Sequence, residues 1–193
     1  MKIIIITPPH TVDGEICIIA GLFELGLESL HLRKPDFSFS EMRDYILQID
    51  ERYRHRVVLH SHFELVKEYG LRGAHLGVNR QLEVPDFRGT LSYSCHSIAE
   101  VSEQKARYDY VFLSPIFNSI SKQGYNAAFS TEELAKAFES GIIDKTVVAL
   151  GGVTPYNFSQ VKAIGFGGVA LLGDIWQDGE PLRRFSEYLR LNV

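Results

Sequence analysis

Eight short runs rich in β-branched and other apolar residues recur along the chain, and several are apolar at every position. Ile3 to Ile6 and Val147 to Leu150 are the clearest examples. A strand that is apolar throughout is covered on both faces, as in parallel sheets, whereas a half-exposed strand alternates. These runs therefore predict parallel strands with helices between them. The predicted strands are 3–7, 29–33, 56–60, 73–77, 90–96, 110–117, 146–150 and 168–172.

Helix start signals lie between these runs. Ser38, Ser97 and Ser130 each stand three residues before a glutamate. At this spacing the two side chains can cap each other's backbone N–H groups at the first turn of a helix. Thr154, which precedes a proline, predicts another helix start. The weakest predicted helix is 81–87, because it contains a proline.

Strand and helix thus alternate about eight times, which is the order of a (β/α)8 TIM barrel. The chain has 193 residues, fewer than the roughly 250 typical of this fold, so we expect one minimal barrel domain over 1–193. An open doubly wound sheet is the alternative. Its phosphate loop would follow the first strand, where Thr7 to His10 include no glycine. The barrel is therefore preferred.

Charge and composition exclude several classes of protein. The 20 Lys+Arg and 24 Asp+Glu give a net charge of −4, so we expect neither nucleic acid nor an anionic membrane as partner. No stretch approaches the roughly 20 apolar residues of a membrane helix, and the apolar N-terminal run is too short for a signal peptide. Cys17 and Cys95 match no metal or redox spacing and are predicted to be buried free thiols. We expect a soluble, cytoplasmic protein.

Polar residues collect where the predicted strands end, which is the active face of a barrel. Five of the seven histidines fall there, and the residue pairs 31/33, 60/62 and 94/96 share parity, so each pair is predicted to face one side. A single such histidine is usually structural, but convergence from four strands favours a functional site. These histidines are His31, His60, His62, His75 and His96.

Glycines mark the ends of the last two predicted strands. Gly151 and Gly152 follow strand 7, and Gly168 and Gly173 lie within and after strand 8. Loops at these two places often bind phosphate through backbone N–H groups and the start of a short helix, so we expect a phosphate site there. The alternative is that the glycines only permit tight turns.

The loop after strand 6 is rich in hydroxyl groups. Ser119, Ser121 and Lys122 are predicted to bind an anionic group, and a solvated surface loop is the alternative. The basic run 52–56 precedes a strand, on the face of a barrel that serves stability, and is predicted to be a solvated turn rather than a nucleic-acid patch.

Six segments together resemble the thiamine phosphate synthase and thiazole tautomerase family over nearly the whole chain. Synthases of this family join a pyrimidine diphosphate to a thiazole phosphate with Mg²⁺. The resemblance implies that Gly152 and 168–173 hold a thiazole phosphate, and that Arg33, Ser94, Ser119, Ser121 and Lys122 hold the diphosphate or substrate. The segments are 31–35, 73–77, 94–97, 109–111, 114–117 with Lys122, and 149–153.

The chain departs from the synthase pattern at the metal ligands. Synthases have Asn-Asp after strand 3, where this chain has His60-Ser61, and an acidic residue beyond His-Leu-Gly, where it has Val78-Asn79-Arg80. Mg²⁺ requires hard oxygen ligands, so we expect no metal site and no cofactor, with Mg²⁺ only if the protein is a synthase. The second basic residue of the family's strand-2 pattern is lost or displaced to Lys34.

The tautomerase branch is more similar at these positions. Its members also replace the metal-binding aspartate, can carry His-x-Arg on strand 2, and use a histidine in a Ser-x-His-Ser segment as acid and base. His96 occupies that position. The preferred hypothesis is a metal-independent thiazole tautomerase with His96, Arg33 and Lys122 as catalytic residues. His31, Ser94, Ser119, Ser121, Gly151, Gly152, Gly168 and Gly173 are the predicted substrate and phosphate contacts.

Three other interpretations stay open. The first is a divergent thiamine phosphate synthase that also takes the pyrimidine diphosphate. The second is a non-catalytic regulator that binds thiamine phosphate. The third is a metal hydrolase with His31, His60, His62 and His96 as zinc ligands, although barrel hydrolases usually place His-x-His on the first strand. A homo-oligomer is compatible with the resemblance, since family members are often oligomeric.

Overall fold

The structure is a computed structural model that describes residues 1–77, 84–118, 128–177 and 179–193. Eight parallel strands pair in chain order, and the last pairs with the first, so the sheet closes into a barrel. This closure confirms the predicted (β/α)8 barrel and excludes the open sheet. The strands are β1 Lys2–Ile6, β2 Ser29–Leu32, β3 Val57–Leu59, β4 Gly73–Leu76, β5 Thr90–Cys95, β6 Tyr110–Leu113, β7 Val147–Leu150 and β8 Gly168–Leu171.

Helices follow the strands around the outside of the barrel. The predicted capping boxes at Ser38 and Ser130 are both present. Ser97 accepts a hydrogen bond from the Glu100 N–H, but the Glu100 carboxylate accepts from the backbone N–H of His96 instead of completing the box. The helices are α1 Glu15–Glu24, α2 Phe39–Gln48, α3 Glu51–Arg54, α4 Glu64–Glu68, α5 Ile98–Gln104 with a 3₁₀ turn Lys105–Arg107, α6 Thr131–Glu139, α7 Phe158–Ile164, α8 Gly173–Trp176 and α9 Pro181–Leu191.

Two predicted helix positions are wrong. Helix α7 begins at Phe158 rather than after Thr154, because the Asn157 side chain accepts from the Thr154 N–H at 2.8 Å and donates to the Gly152 carbonyl at 2.9 Å. These bonds shape a turn before the helix. Residues 84–87 are not helical, and the rest of the predicted 81–87 helix lies outside the described residues.

The barrel interior is divided into an apolar part and a polar part. Ile4, Ile6, Tyr110, Phe112 and Val148 form an apolar cluster inside the barrel, on the side of β1 and β6 to β8. The opposite side, from β2 to β5, carries buried polar residues instead: His31, His75 and Ser92. Buried polar groups need hydrogen-bond partners, so this half of the interior is where a site can form.

The cysteine prediction is correct for one residue only. Cys95 is buried at the end of β5, where desolvation, with a smaller effect of the Glu100 charge, raises the pKa of its thiol to about 12. Cys17 is exposed on α1, so the prediction that it is buried is wrong. Each helix within the described residues is too short or too polar to cross a membrane.

Candidate functional site

Three histidines from neighbouring strands meet inside the barrel. His31 of β2 is fully buried, with Nδ1 3.0 Å from Nε2 of His60 and Nε2 2.6 Å from the Tyr110 hydroxyl. Burial lowers the pKa of His31 well below its ordinary value, and the charges of His75 and Arg72 lower it further. His31 is therefore neutral near pH 7. Since its side chain is enclosed, the predicted direct contact between His31 and a substrate is not open in this arrangement.

His75 of β4 completes this group, which we call the histidine cluster: His31, His60 and His75. Its Nδ1 and Nε2 each lie 2.8 Å from a serine hydroxyl, those of Ser92 and Ser94 on β5. The His75 ring stacks on that of His60 with centroids 4.4 Å apart. The β4–β5 register pairs His75 with Ser92, which places the serines beside the imidazole. Ser94 thus lies at the rim, but its hydroxyl contacts His75.

His62 does not join the cluster, so the prediction that residues 60 and 62 face one side is wrong. Strand β3 ends at Leu59, and His62 has a left-handed backbone with φ of 54°. Its Nε2 lies 2.8 Å from the Phe37 carbonyl oxygen. Side chains alternate only while the chain is extended, so parity fails once β3 has ended.

Arg33 and Lys34 follow β2 but have different surroundings. Arg33 is half-buried, its backbone N–H donates to Thr7 Oγ1 at 2.9 Å, and its guanidinium has no ion-pair partner in the described part of the chain. Lys34 is fully buried, and its Nζ donates to both carboxylate oxygens of Glu15, at 2.7 and 2.8 Å, and to the carbonyls of Pro8 and His10. Lys34 is therefore not the displaced substrate-binding residue, whereas Arg33 remains available to an anion.

His96 lies directly after β5 and is exposed to solvent. Its Nδ1 is 3.3 Å from both the carbonyl oxygen and the hydroxyl of Ser114, and its Nε2 has no partner among residues 1–77, 84–118, 128–177 and 179–193. A carbonyl only accepts, so a bond to it requires a proton on Nδ1. That tautomer leaves a lone pair on Nε2, the form that a general base requires.

The loop after β7 requires its glycines. Gly151 and Gly152 have φ of 97° and 65°, which other residues rarely adopt. A Cβ on Gly152 would lie 2.3 Å from the Asn118 carbonyl oxygen, in the segment that follows β6. The two loops are therefore closely packed, and within the described residues the Gly152 N–H has no acceptor.

The segment after β8 has the short helix that the sequence predicts. Helix α8 begins at Gly173, whose N–H also lacks an acceptor in the part of the chain that the structure describes. Gly168 is different, because it begins β8 and pairs with Lys2 and Val148, at the opposite end of the barrel from the rim. A Cβ there would lie 2.8 Å from the Lys2 carbonyl oxygen. Gly168 thus packs between strands at the end of the barrel away from the rim, where the phosphate site is predicted.

Tyr188 connects the two glycine loops. This fully buried residue of α9 has its hydroxyl 2.7 Å from Asp174 Oδ2 and 3.2 Å from the Val153 carbonyl oxygen. The Trp176 indole N–H donates to the Ile6 carbonyl oxygen at 2.8 Å and holds α8 against β1. No sequence signal marks Tyr188, because an aromatic residue on an amphipathic helix is typical of a core.

Several predicted site residues lie outside the described residues. They are Ser119, Ser121 and Lys122 in the loop after β6. The segment Val78 to Arg80, where synthases carry an acidic residue, also lies outside them. Arg33, Ser94, His96, Gly151, Gly152 and Gly173 all lie at the carboxyl ends of the strands.

Comparison with known proteins agrees with this architecture. A solved structure described as thiamine phosphate pyrophosphorylase from Bacteroides thetaiotaomicron is 38% identical, with a TM-score of 0.90, over 100% of this chain and 98% of that chain. A thiamine-phosphate synthase of Klebsiella pneumoniae is 28% identical over 178 residues, 87% of this chain and 83% of the relative. The family model described as thiamine monophosphate synthase matches residues 3–175. The chain belongs to the thiamine monophosphate synthase family, a family of enzymes of thiamine biosynthesis.

Proposed function

We propose that this enzyme is a thiazole tautomerase that moves a proton within a phosphorylated thiazole carboxylate, with His96 as general acid and base. The proposal rests on the contacts of His96. Its Nδ1 lies 3.3 Å from the Ser114 carbonyl oxygen, and its Nε2 has no partner in the described residues. An imidazole with one nitrogen held and the other exposed at the rim suits proton transfer near neutral pH.

The reaction balances without an oxidant or a second substrate. His96 Nε2 removes a proton from one carbon, and the electron pair of that C–H bond enters the ring system. The imidazolium then returns the proton to a different carbon as the double bonds shift to the aromatic arrangement. Substrate and product are isomers, and His96 is neutral again at the end.

Two anionic groups of the substrate need binding partners at the rim. The N–H groups of Gly152 and Gly173, which have no acceptor among the described residues, suit a phosphate. The Arg33 guanidinium suits the carboxylate, since arginine presents paired donors in a plane. Lys122, Ser119 and Ser121 remain predictions from the sequence for the same anions.

The synthase reaction is the second candidate, because the relatives are described as thiamine-phosphate synthases. Diphosphate departure in that reaction uses Mg²⁺, and the described donor set fits this ion poorly. After β3, where synthases carry Asn-Asp, this chain has the imidazole of His60, which contacts His31. The Glu15 carboxylate pairs with Lys34, and the Glu100 carboxylate accepts a hydrogen bond from the His96 N–H. Mg²⁺ prefers carboxylate and water oxygens, so the described residues favour the metal-independent reaction.

Replacement of His96 by asparagine tests the proposal. The H96N variant is expected to lose about 10²–10⁴-fold in kcat with the thiazole carboxylate phosphate, because only proton transfer is removed. KM should change little. The matched control is H62N, since His62 lies outside the cluster and asparagine tolerates its left-handed backbone. Full activity in H96N would refute the assignment, and binding without turnover in the unmodified enzyme would favour the regulator interpretation.

A further inference from the structure

We propose that the histidine cluster binds one divalent transition-metal ion of the Zn²⁺ class, with His31, His60 and His75 as ligands. One nitrogen from each residue lies within 4.8 Å of the others, and these three form the one group of potential metal ligands within the described ranges. The three residues come from β2, β3 and β4, which are rigid neighbours in the barrel. The proposal goes beyond the tautomerase reaction, in which this ion takes no part.

The distances suit a shared ion. Nitrogens that bind one tetrahedral Zn²⁺ at about 2.0–2.1 Å lie about 3.3–3.4 Å apart. The 3.0 Å between His31 Nδ1 and His60 Nε2 is close to this separation. Nitrogens at the outer 4.8 Å separation reach it with a side-chain movement of about 1.5 Å.

The contacts around the cluster resemble those that support metal-bound histidines. Such a histidine uses one nitrogen for the metal and the other for a hydrogen bond that fixes the ring. His31 has this arrangement, with Nδ1 toward His60 and Nε2 toward the Tyr110 hydroxyl. His75 has Nδ1 on the buried Ser92 hydroxyl and Nε2 on the half-buried Ser94 hydroxyl, which can turn toward the rim and release Nε2.

The type of ligand decides which metal the cluster takes. His31 and His75 are enclosed by the barrel, with exposed fractions of only 0% and 4%. Three nitrogen ligands favour Zn²⁺, Co²⁺, Ni²⁺ or Cu²⁺ over Mg²⁺, which prefers oxygen. His60 is half-buried, so the fourth position of a tetrahedral ion would face the rim, as in sites that keep one position open.

Titration of metal-depleted protein with Co²⁺ tests this site. The protein must carry no histidine tag, since a tag would itself bind the ion. We expect one Co²⁺ per chain, with the visible absorption of a tetrahedral nitrogen site, and its displacement by Zn²⁺. The experiment contains no thiazole substrate, so its result is separate from the outcome of the H96N assay.

Variants identify the ligands. H60Q should weaken Co²⁺ binding by more than about 100-fold, since loss of an outer-shell partner alone costs about 10–100-fold. Tyr110→Phe, which removes only the hydroxyl that contacts His31, should fall within that 10–100-fold range. The control H55Q replaces an exposed histidine outside the cluster and should bind normally.

Thermal unfolding gives a second readout that needs no variant. An ion that binds only the folded state raises Tm as its concentration increases. Wild-type protein should therefore show a Tm that rises with added Zn²⁺ in the micromolar range and falls again with chelator. No Co²⁺ spectrum and no change of Tm would overturn the proposal, as would undiminished binding in folded H60Q.

Discussion

At the scale of single residues, the adjacent basic residues Arg33 and Lys34 look equivalent in the sequence but have different surroundings in the fold. Arg33 keeps its guanidinium available, whereas Lys34 is enclosed with Glu15 and two backbone carbonyls. The family resemblance implied a substrate-binding role for Arg33, and this role stays a prediction. The sequence could not predict the burial of Lys34, because the partner Glu15 stands 19 positions earlier and is brought close only by the barrel.

The buried Lys34–Glu15 ion pair is expected to contribute to the stability of the fold. Lys34→Met should lower the free energy of unfolding by about 3–5 kcal/mol, because it leaves the Glu15 carboxylate buried without its partner. The control is Lys136→Met, which breaks an exposed pair with Glu132 on α6 and should cost about 0–1 kcal/mol. Urea unfolding measures both. Equal costs for the two variants would contradict the prediction that breaking the buried pair costs more than breaking the exposed one.

At the scale of elements, strands were easier to predict than the segments between them. A continuously apolar run is typical of a strand in a parallel sheet that is covered on both faces, so seven of the predicted strands agree with the observed ones within one residue at each end. The predicted end of strand 6 is wrong, since it was placed at residue 117 and β6 ends at Leu113. The start of α7 was displaced because Asn157 bonds the turn before it. His62 left the predicted face for a similar reason, since its conformation is set by the Phe37 carbonyl and not by alternation.

The loop after β7 gives a prediction at this scale. Gly152→Ala should destabilise the fold by about 1 kcal/mol for its positive φ and by about 1–3 kcal/mol more for the clash with the Asn118 carbonyl. It should also weaken binding of thiazole phosphate by about tenfold or more, since a displaced N–H loses a charge-assisted bond.

The matched control for this variant is Gly141→Ala. Gly141 also has a positive φ, of 72°, but a Cβ there would meet no atom within 4 Å. It should show the φ cost of about 1 kcal/mol and normal ligand binding. Unfolding curves and calorimetric titrations separate the two effects. Equal ligand affinity in both variants would remove Gly152 from the phosphate site.

At the scale of the whole molecule, closure of the barrel assembles the candidate site. The ends of β2 to β5 bring Arg33, Ser94 and His96 to the same rim as the glycine loops after β7 and β8. Strand order alone was sufficient to predict this rim, because all parallel strands end on one face. It was not sufficient to predict the contacts of His31 with His60 and Tyr110, which depend on side chains that meet across the interior.

The most direct test of the account follows turnover of the thiazole carboxylate phosphate by NMR in D₂O, with EDTA present and with neither pyrimidine diphosphate nor Mg²⁺. We predict conversion to the aromatic isomer, with deuterium entering at the reprotonated carbon and a rate that the chelator does not change. A parallel sample contains pyrimidine diphosphate and Mg²⁺. Thiamine phosphate formed there, with no isomerisation in the first sample, would contradict the account and identify the enzyme as a synthase.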